Sequence, residues 1–118
     1  MDRTNNKWEN ATEVPKHILT GVNDSFDKVD YYDLEGIEDL RIVMERGQIK
    51  ASFYDSNKKL IECKPDNYKS ASSFQILASD NPDKNERYFA AIADEVKYLK
   101  IESVTTGTGG YHLYSTLA

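Results

Sequence analysis

Cysteine occurs once in this chain, at Cys63. A single thiol cannot close an intrachain disulfide, and a zinc site built on paired cysteines is excluded. Cys63 alternates with Ile61, which gives it the place of a small buried hydrophobe rather than a reactive thiol. Long apolar runs are also missing. No stretch approaches the roughly 20 residues of a membrane-spanning helix. Met1 to Lys7 is polar throughout and is not a secretory signal, so the chain reads either as cytoplasmic or as a segment of a longer secreted protein. Positive charge is in deficit, with 15 Lys and Arg against 20 Asp and Glu and a net charge of −5. Such a chain has no electrostatic reason to seek nucleic acid or an anionic membrane, and neither is expected as a partner. Histidine is scarce. His17 and His112 sit in no recognisable nucleophile or metal motif, so no catalytic residues are assigned and an enzyme is not expected. Low-complexity tracts, internal repeats and linkers between two cores are absent. One domain over residues 1–118 follows, with 1–16 as a polar leading arm whose one large apolar side chain is Trp8.

What the chain does have is turn residues at even intervals between short apolar or aromatic runs. His17 to Thr20 reads as a strand ended by Gly21, and Val29 to Leu34 as a second strand rich in Tyr and Val. Leu40, Ile42 and Met44 share one face of a strand. After a turn at Gly47, Ile49, Ala51 and Phe53 repeat the period of two. An Asp55-Ser56-Asn57 turn precedes strands at Leu60 to Lys64 and Ser73 to Ala78. Tyr98 to Val104 and Tyr111 to Leu117 close the set, joined by the glycine-rich hairpin turn Thr105 to Gly110. This layout predicts an all-β sandwich. A domain this size buries roughly 60–70% of its unfolded surface, enough for one core without staples.

The segment Pro82 to Leu99 supports two readings. Phe89, Ile92, Val96 and Leu99 recur at helical spacing, with Pro82 in the first turn. The same residues also read as a strand from Arg87 to Ile92, a turn at Ala93-Asp94-Glu95, and the strand that begins at Tyr98. The helical version belongs to an alternative reading of the whole chain, a self-standing cytoplasmic α+β binding or immunity-type protein.

Two groups of residues are candidates for binding. Asp24, Asp27, Asp30 and Asp33 recur every three residues and are followed by Glu35, Glu38 and Asp39, against the single base Lys28. Hard cations such as Ca²⁺ take carboxylate and carbonyl oxygens from irregular loops, so Asn23, Asp24, Asp27 and Asp30 are candidate ligands. The plain alternative is a solvated acidic loop that blunts a sheet edge. The second group is aromatic. If Leu99 and Ile101 face inward, Tyr98 faces out; if Tyr111 and Leu113 face inward, His112 and Tyr114 face out. On neighbouring strands, Tyr98, His112 and Tyr114 would together face a protein or polymer ligand, since tyrosine buries its ring and keeps its hydroxyl wet.

The order of these pieces, from about Asn6 to Leu117, resembles the bacterial pre-peptidase C-terminal domain family, which includes the collagen-binding domains of clostridial collagenases. The resemblance is carried by Leu19-Thr20-Gly21, by Asp27 and Val29-Asp30-Tyr31-Tyr32, by Ile49 to Ile61, and by Tyr98-Leu99-Lys100-Ile101 with Gly110-Tyr111-His112-Leu113. It implies a jelly-roll-like antiparallel β-sandwich. It further implies a non-catalytic, extracellular accessory domain attached to the catalytic domain of a secreted hydrolase, often a protease. Such a domain aids secretion, stability or the binding of a macromolecular substrate such as collagen. Some members bind Ca²⁺ between the leading arm and the loop before the Asp-Tyr strand, and Asn6, Asp27 and Asp30 occupy the matching positions. The family's Glu-Pro-Asn-Asp reads Thr4-Asn5-Asn6-Lys7 here, so two acids are replaced. On the strand that carries tyrosines in collagen-binding members, Tyr98 is retained, and Glu102 stands where an aromatic is expected.

Overall fold

Alternation of apolar side chains is the rule that builds this molecule, and the strands fall where it is clearest. The computed structural model describes residues 12–13, 19–23, 29–104 and 109–117. Its strands are β1 (Thr12–Glu13), β2 (Leu19–Asn23), β3 (Val29–Asp33), β4 (Ile37–Arg46), β5 (Gln48–Tyr54), β6 (Ser73–Leu77), β7 (Glu86–Phe89), β8 (Tyr98–Ser103) and β9 (Gly109–Leu117). A single helical turn, α1 (Pro82–Asn85), precedes β7. The strands form a five-stranded sheet in the order β1-β3-β8-β5-β6 and a four-stranded sheet in the order β2-β9-β4-β7.

That order has a simple origin. β2 pairs with β9, β3 with β8, β4 with β7 and β5 with β6, all antiparallel. Eight strands are therefore one long hairpin, its tip between β5 and β6, rolled so that successive pairs fall alternately in the two sheets. The β4–β9 and β5–β8 pairings close the roll. The result is an antiparallel jelly roll, as the spacing of turns and the resemblance predict. β1, from the leading arm, adds to the edge parallel to β3.

The two inner faces meet in one core. β5 supplies Ile49, Ala51 and Phe53, β6 supplies Phe74 and Ile76, and β8 supplies Leu99 and Ile101. Facing them are Leu40, Ile42 and Met44 of β4, Phe89 of β7, and Tyr111 and Leu113 of β9. Each fully buried Leu, Ile or Phe side chain contributes about 1.5–3 kcal/mol. At one end Phe53, Phe74 and Phe89 pack edge to face, with centroids 4.8 Å apart for Phe53–Phe89 and 5.5 Å for Phe74–Phe89. Arg87, also on the inner side of β7, is buried; its guanidinium lies 4.1 Å over the Tyr68 ring and Nη1 donates to the Glu86 carbonyl.

Four expectations are revised. The strand from Leu19 runs through Gly21, whose Cα is opposite Tyr111, and ends at Asn23. Leu60 to Lys64 is not a strand: only isolated bridges hold it, Tyr54 to Leu60 and Cys63 to Ala71, and Leu60 is exposed. β8 and β9 belong to different sheets and do not pair as a hairpin; residues 105–108, where the turn is expected, lie outside the described residues. The α+β alternative fails because the helical spacing over Phe89, Ile92, Val96 and Leu99 is satisfied by a strand, a turn and a strand. Phe89 and Leu99 enter the core from opposite sheets, and Ile92 and Val96 pack against it from the turn between them. Ala91 makes that turn with a positive φ of 58°.

Candidate ligand-binding face

The inward set of β4 fixes its outward set. With Leu40, Ile42 and Met44 in the core, Asp39, Arg41 and Val43 face out from the four-stranded sheet. On β9, Tyr111 and Leu113 are buried, so His112, Tyr114 and Thr116 face out; on β7, Arg87 and Phe89 are buried, so Glu86 and Tyr88 face out. Register then aligns them across the sheet. Arg41 is opposite Tyr88 on one side and Tyr114 on the other, and Val43 is opposite Glu86 and His112.

These side chains interact as a group. The Arg41 guanidinium lies 5.3 Å over the Tyr114 ring, and its Nε donates to Glu86 Oε1 at 2.6 Å. The rings of His112 and Tyr114 are 6.3 Å apart and tilted by 38°, and His112 Nε2 is 2.9 Å from Glu45 Oε2. Asp39 accepts from Thr116 Oγ1 and from the backbone N–H of Ala91, both at 3.0 Å. A shallow cleft of about 140 Å³ opens over this surface, lined by Tyr88, Arg41 and Tyr114 together with Asp39 and Thr116. The hydroxyls of Tyr88 and Tyr114 hydrogen-bond to no other described residue.

Of the three aromatic candidates, His112 and Tyr114 are thus together. Tyr98 is not with them. It lies on the outer side of the five-stranded sheet, opposite Tyr54 and Asp33, with Lys97 Nζ 5.7 Å over its ring. The face predicted from adjacent final strands is corrected accordingly: β8 and β9 are not neighbours, and a layer of core separates Tyr98 from His112 and Tyr114. Arg41, Tyr88 and Asp39 take its place. The period of two in Leu40 to Met44 was the signal that could have found Arg41, because it sends that residue outward.

The cation candidates separate differently. Asn6, Asp24 and Asp27 lie outside the described residues. Asp30 is buried at 2% exposure and turned between the sheets, where Tyr111 donates its hydroxyl to Oδ2 at 2.5 Å. Tyr111 has one hydroxyl hydrogen, so Tyr32, 2.7 Å away, donates in turn to the Tyr111 oxygen. Burial first, then the neighbouring Tyr32 and Asp30, hold the Tyr111 phenol well above its ordinary pKa of 10.0. Asp30 Oδ2 is thus engaged by Tyr111 inside the sandwich. Asp33 is drawn elsewhere: it shares the ammonium of Lys97 with Glu35, at 3.2 and 3.0 Å. Among the described residues, no three His, Cys, Asp or Glu side chains gather as metal ligands. Cys63 is half-buried, and burial, helped by the charge of Glu95, pushes its thiol up to about 11. It stays protonated at neutral pH and is a poor nucleophile.

The strand order defines the class of this protein, an antiparallel jelly-roll β-sandwich. Compared with protein-family models and with curated proteins, the chain matches none. Among the described residues, no helix is long and apolar enough to cross a membrane.

Proposed function

We propose that this chain is a non-catalytic binding domain that holds a macromolecular substrate for a secreted bacterial hydrolase to which it is attached. One observation carries the reading: Tyr88, Arg41 and Tyr114 stand in a row across an open sheet face, beside His112. Tyr and Arg are the residues most enriched at recognition surfaces, because each joins a broad flat contact to a polar tip. The jelly roll agrees with the architecture expected from the family resemblance. The protonated thiol of Cys63 fits a domain without a thiolate nucleophile.

Co-sedimentation of the isolated domain with insoluble collagen and with insoluble polysaccharides tests the reading. Retention on one of these matrices, without hydrolysis of it, is expected. Failure to be retained on any of them, or turnover of the matrix, would overturn it. Calcium enters the same proposal through Asn6, Asp24 and Asp27, with Asp30 engaged inside the sandwich. A ligand at 100-fold its dissociation constant adds about 2.7 kcal/mol, so a melting point that does not move between added Ca²⁺ and a chelator removes the ion from the proposal.

A further inference from the structure

We infer that the outer face of the four-stranded sheet takes a neutral polysaccharide chain laid across β7, β4 and β9, a ligand class that rests on the binding-domain reading above. Spacing is the first ground. Tyr88 and Tyr114 are both in register with Arg41, one on each neighbouring strand. They are therefore two strand spacings apart, about 9.5 Å, close to the length of two linked pyranose residues. Side chains raised from backbone positions at that interval match alternate sugars along a chain, whose apolar C–H surface a tyrosine ring can meet.

Hydrogen-bonding capacity is the second ground. Sugar hydroxyls both donate and accept, and the face offers both. The Tyr88 and Tyr114 hydroxyls are uncommitted among the described residues. Arg41 has five N–H donors, and its Nε and Nη2 converge on a single oxygen, Glu86 Oε1. Each Asp39 oxygen accepts one bond and retains a second lone pair.

Charge and edge geometry weigh against the other polymers on this part of the face. Asp39, Glu45 and Glu86 carry three carboxylates onto a face whose guanidinium groups are those of Arg41, already turned toward Glu86, and Arg46, which lies over Gly110. A polyanion gains nothing there. A polypeptide could add as a further strand only at an edge, β2 or β7, and β7, the edge beside Arg41 and Tyr88, has its outer side engaged. Asn67 Nδ2 donates to the Glu86 carbonyl, the Asp66 N–H donates to the Tyr88 carbonyl, and the Tyr88 N–H reaches Asn67 Oδ1. The face is thus suited to side-chain recognition of an uncharged, hydroxyl-rich chain.

Native gel electrophoresis of the whole chain tests this in gels cast with hydroxyethylcellulose, xylan, mixed-linkage β-glucan, dextran sulfate or gelatin. Retardation by at least one of the three neutral polysaccharides, and not by dextran sulfate, is expected. Tyr88→Ala and Tyr114→Ala should each weaken it about tenfold or more, with melting points close to wild type because both residues face outward. Free migration in all three neutral gels, or retardation that survives both substitutions, overturns the inference. Retardation by gelatin alone, lost in the variants, overturns the polysaccharide class and leaves the binding-domain reading standing. Free migration in all five gels, gelatin included, removes both.

Discussion

Replacing Tyr111 with Phe takes one oxygen atom out of the space between the sheets and leaves the ring in place. That oxygen donates to Asp30 Oδ2 at 2.5 Å and accepts from Tyr32. A hydrogen bond to a charged group contributes about 1.5–3 kcal/mol, and a neutral one about 0.5–1.5 kcal/mol. Tyr111→Phe removes one of each, so the expected loss is about 3 kcal/mol. A domain of this size has roughly 6–18 kcal/mol in total, so the variant still folds. Its midpoint should fall by about 12 °C, taking about 4 °C per kcal/mol. Tyr32→Phe is the control. It loses the neutral bond and leaves Tyr111 on Asp30, so about 1 kcal/mol is expected. Alkaline pH supplies a second readout. The folded-state pKa of Tyr111 is raised above 10.0. Above pH 10 the unfolded chain releases this proton and the folded chain keeps it. The stability linked to Tyr111 is therefore complete below pH 10 and declines as pH rises, by at most about 1.4 kcal/mol per unit. Tyr111→Phe lacks this slope. In urea unfolding the gap between wild type and variant should be about 3 kcal/mol at pH 7 and about 1 kcal/mol narrower at pH 11. A gap below about 1 kcal/mol at pH 7, or one no larger than that of Tyr32→Phe, would refute the assignment of Tyr111 as the donor that satisfies Asp30.

Three further outcomes follow from features already described. Phe89→Ala opens the junction of Phe53, Phe74 and Phe89, and should cost about 3–5 kcal/mol in denaturant unfolding. Lys58 holds a left-handed φ of 66° in the turn where Asp55 Oδ1 accepts from the N–H groups of Asn57 and Lys59. Lys58→Gly should therefore stabilise by about 0.5 kcal/mol in the same measurement, the relief of strain exceeding the entropy that glycine loses. Alkylation of Cys63 by iodoacetamide should keep accelerating about tenfold per pH unit beyond pH 9, because its pKa lies near 11. A rate that levels off at pH 9 would show the thiol to be solvated.

The strands that could be read from the chain are those whose signal is local. In β4 and β5 the sequence alternates strictly, and every inward residue it indicates is in the core: Leu40, Ile42, Met44, Ile49, Ala51 and Phe53. The inward and outward sides of β8 and β9 were legible for the same reason. Their sheet membership was not. Period-two alternation says which way a side chain points and nothing about which strand lies beside it, so Tyr98 was placed beside Tyr114 when the core lies between them. Asp30 shows the same limit. In the sequence it belongs to a run of acids, and its interior partner Tyr111 is 81 positions away. Ile61 and Cys63 alternate as a strand would, but the segment has no continuous neighbour to pair with, and its residues settle for two isolated bridges. Arg41 and Tyr88 were within reach of the period; their meeting across β4 and β7 depended on register, which nothing local specifies.

The rolled hairpin also sets the timing of folding. β9 runs between β2 and β4 in the four-stranded sheet, and its residues pair with Leu19 and its neighbours from the far end of the sequence. A ribosome delivers the chain from its N-terminus, so β2, β4 and β7 emerge while the strand that joins β2 to β4 is still to be made. β5 and β6, at the tip, can pair early. The four-stranded sheet, and with it the face that carries Tyr88, Arg41 and Tyr114, closes only when the last strand arrives. Closing loops of this length is slow, in the millisecond-to-second range of β-sandwiches. This domain therefore stays open until its last strand has been synthesised.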